Sequence, residues 1–124
     1  MTRTKRRLTT VATYLALLVA GAMSANVVPA RAGDCTGYVV GVRPLNAYNH
    51  ARGTGFLAVR SGPGSGYRQT GEVYAGDEIS VWDRSGGWYQ IACMSGQCLS
   101  PLWGPADPRG WVSGRYLSVG GVCP

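Results

Sequence analysis

Lysine is almost missing from this chain: Lys5 is the only one in 124 residues. A phosphate loop of the Walker type needs a lysine to reach the phosphates, so that class of nucleotide enzyme is excluded downstream of the N-terminus. Histidine is equally scarce, and any histidine-activated nucleophile would have to rely on His50 alone. Acidic residues number only six, and none pairs with another in the pattern a glycosidase needs. Asp77 and Glu78 are neighbours on a predicted strand and so point to opposite faces; Asp83 falls in a turn and Asp107 in a loop. Long apolar runs are also lacking. The stretch from Val11 to Ala22, broken by Thr13, is too short for a permanent bilayer span.

That short apolar run has a different meaning in context. Arg3, Lys5, Arg6 and Arg7 precede it, and Ala30 and Ala32 follow in an A-x-A arrangement. The order is that of a secretory signal peptide cleaved after Ala32, with an uncleaved anchor as the rival. Arg6-Arg7 hints at twin-arginine export, but Leu8-Thr9 fits that signal poorly. Two segments are therefore expected, a leader at 1–32 and one domain at 33–124. The leader takes five basic residues with it and no acid, leaving seven basic against six acidic, a net charge of +1. The basic whole-chain balance thus belongs to targeting and gives no reason to expect nucleic acid as a partner.

Four cysteines remain in the expected domain: Cys35, Cys93, Cys98 and Cys123. An even count in a small exported domain indicates two disulfides. Of the three possible pairings, the favoured one joins Cys93 to Cys98 across a short loop and Cys35 to Cys123 across the ends. A zinc site using Cys93, Cys98 and His50 is the rival. Export makes oxidation the preferred fate, with no metal and no cofactor expected.

Glycine is abundant, with 18 of 19 in the expected domain, which favours turns over long helices. Gly37 to Leu45 reads as a first strand. Phe56 to Ser61 reads as a second, with Leu57 and Val59 facing the core and Phe56, Ala58 and Arg60 on the other face. Asp77 to Asp83 and Gly87 to Cys93 alternate as a hairpin across Arg-Ser-Gly-Gly. Pairing Val81 with Tyr89 sets Ile79 opposite Ile91 inward and Trp82 opposite Trp88 outward. Met94 to Arg109 holds three prolines and two glycines and reads as a long loop. Gly110 to Ser113 is a short strand, and the residues after it suit a 3₁₀ turn. Short strands with regular turns predict an all-β chain closed as a small β-barrel.

The glycine-rich stretch VRSGPGSGYRQTGEV remains to be explained. Position 67 is tyrosine where a dinucleotide fingerprint needs glycine, and a turn at Gly71 rules out a helix. The glycines are therefore assigned to loop geometry, with positive φ, and Pro63 to stiffening the bend. Val59 to Pro63, Tyr67, Gly71 to Asp77, Gly87 to Ile91 and Gly110 to Leu117 together resemble the bacterial SH3-like (SH3b-type) domain of exported proteins. The resemblance covers Leu57 to Leu117. It implies an SH3-like β-barrel that is a non-catalytic binding module, attached to cell-wall peptide or another envelope component. The loop at 94–109 and the four cysteines depart from the plain pattern, and the loop is long enough to cover a ligand groove.

Aromatic side chains are the candidate ligand contacts, because they bury much area at small entropic cost. Trp82 and Trp88 share the outward face; Tyr67, Trp103, Trp111 and Tyr116 lie in or beside loops. The structural alternative is that Trp82 and Trp88 only brace the hairpin and that Trp111 and Tyr116 only close the barrel. Arg60 and Arg115 are candidates for a ligand carboxylate. His50 is expected to be solvated in its loop. The expected partner is cell-wall peptide or an envelope protein, bound by a monomer with no membrane span after leader cleavage, in the periplasm or outside the cell. The alternative is a protein–protein factor using the 94–109 loop with Trp103 as its anchor. A hydrolase using cysteine and His50 would need a free thiol.

Overall fold

The computed structural model describes residues 34–124. The expected leader and its cleavage point lie outside these residues. Seven strands form one antiparallel sheet: β1 (Cys35–Val39), β2 (Leu57–Arg60), β3 (Gln69–Val73), β4 (Glu78–Ser85), β5 (Trp88–Ser95), β6 (Arg109–Ser113) and β7 (Leu117–Gly120). Their spatial order is β3-β2-β6-β5-β4-β1-β7. Short 3₁₀ turns stand at Leu45–Ala47, Gln97–Leu99 and Gly114–Tyr116, the last where the sequence suggested one. No helix among the described residues is long and apolar enough to cross a membrane.

Period-two alternation builds one core. Val39, Leu57, Val59, Val73, Ile79, Val81, Ile91 and Val112 point into a single cluster with Cys35, Cys93 and Cys98. Each fully buried aliphatic side chain contributes about 1.5–3 kcal/mol relative to exposure. The strands converge on this core, but their hydrogen bonding runs as an open series from β3 to β7 rather than as the closed barrel expected. After β7 the chain turns at Gly121, φ 98°, and brings Cys123 back to Cys35. A side chain at Gly121 would meet the Asp34 carbonyl oxygen at 2.6 Å. This disulfide, with Cα atoms 4.7 Å apart, ends β7 beside β1. Cys93 is bonded to Cys98, with Cα atoms 5.9 Å apart.

The β4–β5 hairpin corrects the expected register. Val81 faces Ile91, not Tyr89, and Ile79 faces Cys93. The turn is tighter than the expected four residues: Ser85 pairs with Trp88, leaving only Gly86 and Gly87 between them. Gly86 has φ 59°, which suits a tight hairpin turn. Continued unbroken, that register would put Val81 on the wrong face. A bulge between Val81 and Asp83 absorbs one residue, Trp82, and returns Val81 and Ile79 to the core. Trp82 is consequently not opposite Trp88.

Two further differences concern glycines. The stretch after Gly66 does not turn at Gly71; β3 runs through it, with a register irregularity opposite Val59 and Arg60. A Cβ on Gly71 would lie 2.8 Å from Pro108 Cβ, so glycine there lets the long loop pack on β3. The glycines at 62, 64 and 66 are not among those with positive φ. Gly62 serves close packing instead: a Cβ there would strike the ring of Tyr67. The first strand also ends earlier than expected, at Val39, and the tail supplies a strand, β7, where none was assigned.

Candidate functional site

A groove of about 450 Å³ opens beside β2, β3 and the start of β5. Phe56, Trp88 and Tyr116 give it aromatic surface, Arg43 and Arg60 give it positive charge, and Gln69 adds an amide. No acidic residue lines it. Arg60 reaches the groove because β2 alternates: Leu57 and Val59 go inward, so Ala58 and Arg60 go outward. Arg60 Nη1 donates to the Tyr67 carbonyl at 3.0 Å, which orients the guanidinium and ties down the glycine loop. Trp88 begins β5 immediately after the tight turn, and Tyr116 closes the 3₁₀ turn before β7. Such a surface suits an extended ligand with apolar parts and a carboxylate.

The loop from Asn49 to Phe56 forms one wall of the groove, and it is held from behind. Asn49 and Thr54 pair as an isolated bridge. Below them lies Glu72, fully buried in β3, opposite Ala58. Its Oε1 accepts from the Tyr48 and Tyr74 hydroxyls, each at 2.8 Å. Its Oε2 lies 2.7 Å from His50 Nδ1. The Tyr74 hydroxyl also accepts from the Leu102 backbone N–H at 2.8 Å, which joins the cluster to the long loop. Above, the His50 ring stacks on Trp103 at 4.3 Å and on Phe56 at 5.6 Å between centroids.

His50 is therefore only partly solvated, and not the unengaged loop residue expected from the sequence. A buried carboxyl group needs partners, and its fold neighbours supply two hydroxyl donors and the His50 ring nitrogen. Burial, followed by the hydrogen bond to Glu72, pushes the Tyr48 hydroxyl up to about 12. The same two causes raise Tyr74 further, against the Leu102 N–H.

The long loop is pinned at its base by Asp77. That carboxyl group accepts from the backbone N–H of Tyr74, Gln97 and Cys98 at 2.8, 2.8 and 3.0 Å. Burial raises its pKa in spite of those three donors. Gly96, φ 106°, leaves the space: a Cβ there would collide with Asp77 Oδ1. Residues 96–108 contribute nothing to the lining of the groove, so the loop does not cover it.

Of the residues proposed from sequence, the fold brings Arg60, Trp88 and Tyr116 together in the groove. Trp111 is half-buried on β6, opposite Arg60 on one side and Gln90 on the other. Tyr67 is exposed on the glycine loop and lies outside the groove lining. Trp82 projects from the bulge into a separate cleft, and Trp103 is occupied by His50. Arg115 is exposed and does not line the groove. The sequence reading missed Arg43, Phe56 and Gln69. For Phe56 a signal existed, since it shares the outward strand face with Arg60; Arg43 falls in the segment expected as the first strand, which in fact ends at Val39 and leaves it in a loop.

All four cysteines are in disulfides, so no thiolate is available either for His50 to activate or for a zinc ion. The His50 ring itself is stacked on Trp103, with Phe56 nearby, and its Nδ1 is engaged. Fold and groove are those of a small all-β domain with an open, acid-free groove. The family model for the bacterial SH3 domain matches residues 55–118, half of the chain, and the chain belongs to that family. It is also similar to Putative N-acetylmuramoyl-L-alanine amidase YrvJ of Bacillus subtilis (strain 168), 35% identical over 65 residues. The match takes in 52% of this chain but only 10% of that relative.

Proposed function

We propose that this domain is a non-catalytic cell-wall binding module whose groove takes a peptidoglycan stem or bridge peptide. The observation that supports this best is the groove itself: three aromatic side chains and two arginines, with no acid among its lining residues. Peptidoglycan stem peptides offer free carboxylates beside small apolar side chains, and both features find partners there. The similarity to a stretch of a protein named as a cell-wall amidase points the same way. Two disulfides fit an oxidising place of work, so residues 1–32 are read as the leader of an exported, periplasmic or extracellular protein. The curled sheet is read as the family's small barrel, left open between β3 and β7.

Co-sedimentation of the purified, oxidised protein with isolated peptidoglycan tests this reading. Trp88→Ala should weaken binding about tenfold or more, the usual cost of removing a central aromatic contact. Arg60→Ala should weaken it and reduce its salt sensitivity. A folded wild-type protein that stays wholly in solution would overturn the wall reading. Capture of an envelope protein, lost on deleting 99–108, would instead assign the function to the loop. Leu99 and Leu102, 51% and 52% exposed on that loop, are what such a partner would touch.

A further inference from the structure

The outer face of the sheet carries a second cleft, of about 270 Å³, that the groove does not use. It is lined by Trp82, Gln90, Ile91, Ala92, Arg109 and Gly110. The register explains its shape. Ala92 on β5 is flanked by Ser80 on β4 and by Arg109 on β6. It is only 6% exposed although it faces outward, so it forms the floor of a slot between larger neighbours. One wall is the indole of Trp82, turned out by the bulge; the other is Arg109. Strands lie about 4.8 Å apart, which separates the β4 and β6 backbones by about 9.6 Å. A ring touching both walls needs two contacts of about 3.5–4 Å, so the slot admits a single ring.

The chemistry of the walls narrows the choice. Trp82 Nε1 already donates to Ser80 Oγ at 3.0 Å, so the indole offers a ligand its face and not its N–H. An electron-rich ring face attracts the C–H-bearing side of a sugar. Arg109, the one charged residue of the lining, has the Asp107 carboxylate 3.5 Å away, which weakens its pull on an anion, and both groups are exposed to screening solvent. Gln90 supplies both an amide donor and an amide acceptor, as hydroxyl or acetamido groups require. The Ala92 methyl suits a small apolar substituent. We propose that this cleft binds a neutral hexopyranose, with its apolar face on Trp82 and its polar groups on Gln90 and Arg109.

Only the source of that sugar, a wall glycan, rests on the wall reading. Trp88 in the groove and Ala92 in the cleft stand four residues apart on the outer side of β5, about 13 Å along the strand. A glycan and its attached peptide could then lie on one face, with sugar in the cleft and peptide in the groove.

The test uses tri-N-acetylchitotriose, which carries no peptide, added to the ¹⁵N-labelled protein. Millimolar binding is expected, seen as shifts of the Trp82 indole and the Gln90 amide. Trp82→Ala should weaken binding at least tenfold, and Ala92→Leu, which fills the slot, should do the same with the fold retained. Arg115→Ala, at an exposed position that lines neither groove nor cleft, should bind the sugar as the wild type does. Sugar binding without stem-peptide binding would sink the groove and leave the cleft standing. No shift at Trp82 in the folded wild type, or equal binding by the Trp82→Ala and Ala92→Leu variants, would overturn the proposal.

Discussion

Glu72 shows how much a single residue can organise. It sits fully buried in a strand, yet Tyr48, Tyr74 and His50 each direct a polar atom at its carboxyl oxygens. Truncating it leaves the part-buried Tyr48 hydroxyl without its acceptor and the buried Tyr74 hydroxyl with only the Leu102 N–H. We expect Glu72→Ala to cost roughly 2–4 kcal/mol, read as a lower urea midpoint, and Glu72→Gln to cost less because one acceptor oxygen survives. The groove wall behind Phe56 should loosen in parallel, weakening ligand binding. The tyrosines give this hub an alkaline limit. The Tyr48 value is raised from 10.0 to about 12, so its contribution is fully present below 10.0 and lost as pH rises through about 12. Denaturation midpoints from neutral to alkaline pH should stay level up to the ordinary tyrosine range and then fall. For Tyr48→Phe that decline should be smaller.

Among the elements, the β4–β5 hairpin decides where its two tryptophans are presented. A two-residue glycine turn sets the register at its tip, and the bulge at Trp82 resets it before the core. Alternation alone made Ile79, Val81 and Ile91 legible as core, and they are buried. It could not reveal the bulge, because an extra residue in one strand leaves no mark on the period of either half. As a consequence, Trp88 goes to the groove and Trp82 to the cleft. Gly86→Ala should cost about 1 kcal/mol through its left-handed φ of 59°, measured by thermal unfolding, with the fold unchanged. Gly96→Ala should cost more, because its Cβ collides with Asp77 Oδ1 and the loop base must shift.

For the whole molecule, the two disulfides act over very different lengths. Cys35–Cys123 spans 88 positions and Cys93–Cys98 spans 5. On the chain-entropy account, the long link is worth about 4–5 kcal/mol and the short one about 2 kcal/mol. Replacing Cys35 and Cys123 by serine should therefore lower the urea midpoint clearly more than replacing Cys93 and Cys98. The reverse order would show that the short link acts mainly by holding the loop beside Asp77.

What the sequence determined by itself were the properties carried by composition and by local pattern. The scarcity of lysine excluded a Walker-type phosphate loop, and the ordered segments between Val59 and Leu117, two of them opening on Gly-Trp, resembled the bacterial SH3 family to which the chain belongs. Leu57 and Val59 were readable as core from one strand's alternation. Tertiary structure alone decided which aromatics meet. Phe56, Trp88 and Tyr116 come from three separate segments, and only the strand order β2-β6-β5 and the return of the chain bring them around one groove. It also decided the fate of His50, which depends on a carboxyl group 22 positions away and on a loop tryptophan beyond that. Periodicity is a local property of a strand; register, bulges and loop packing are set by contacts between distant segments, which no local pattern encodes.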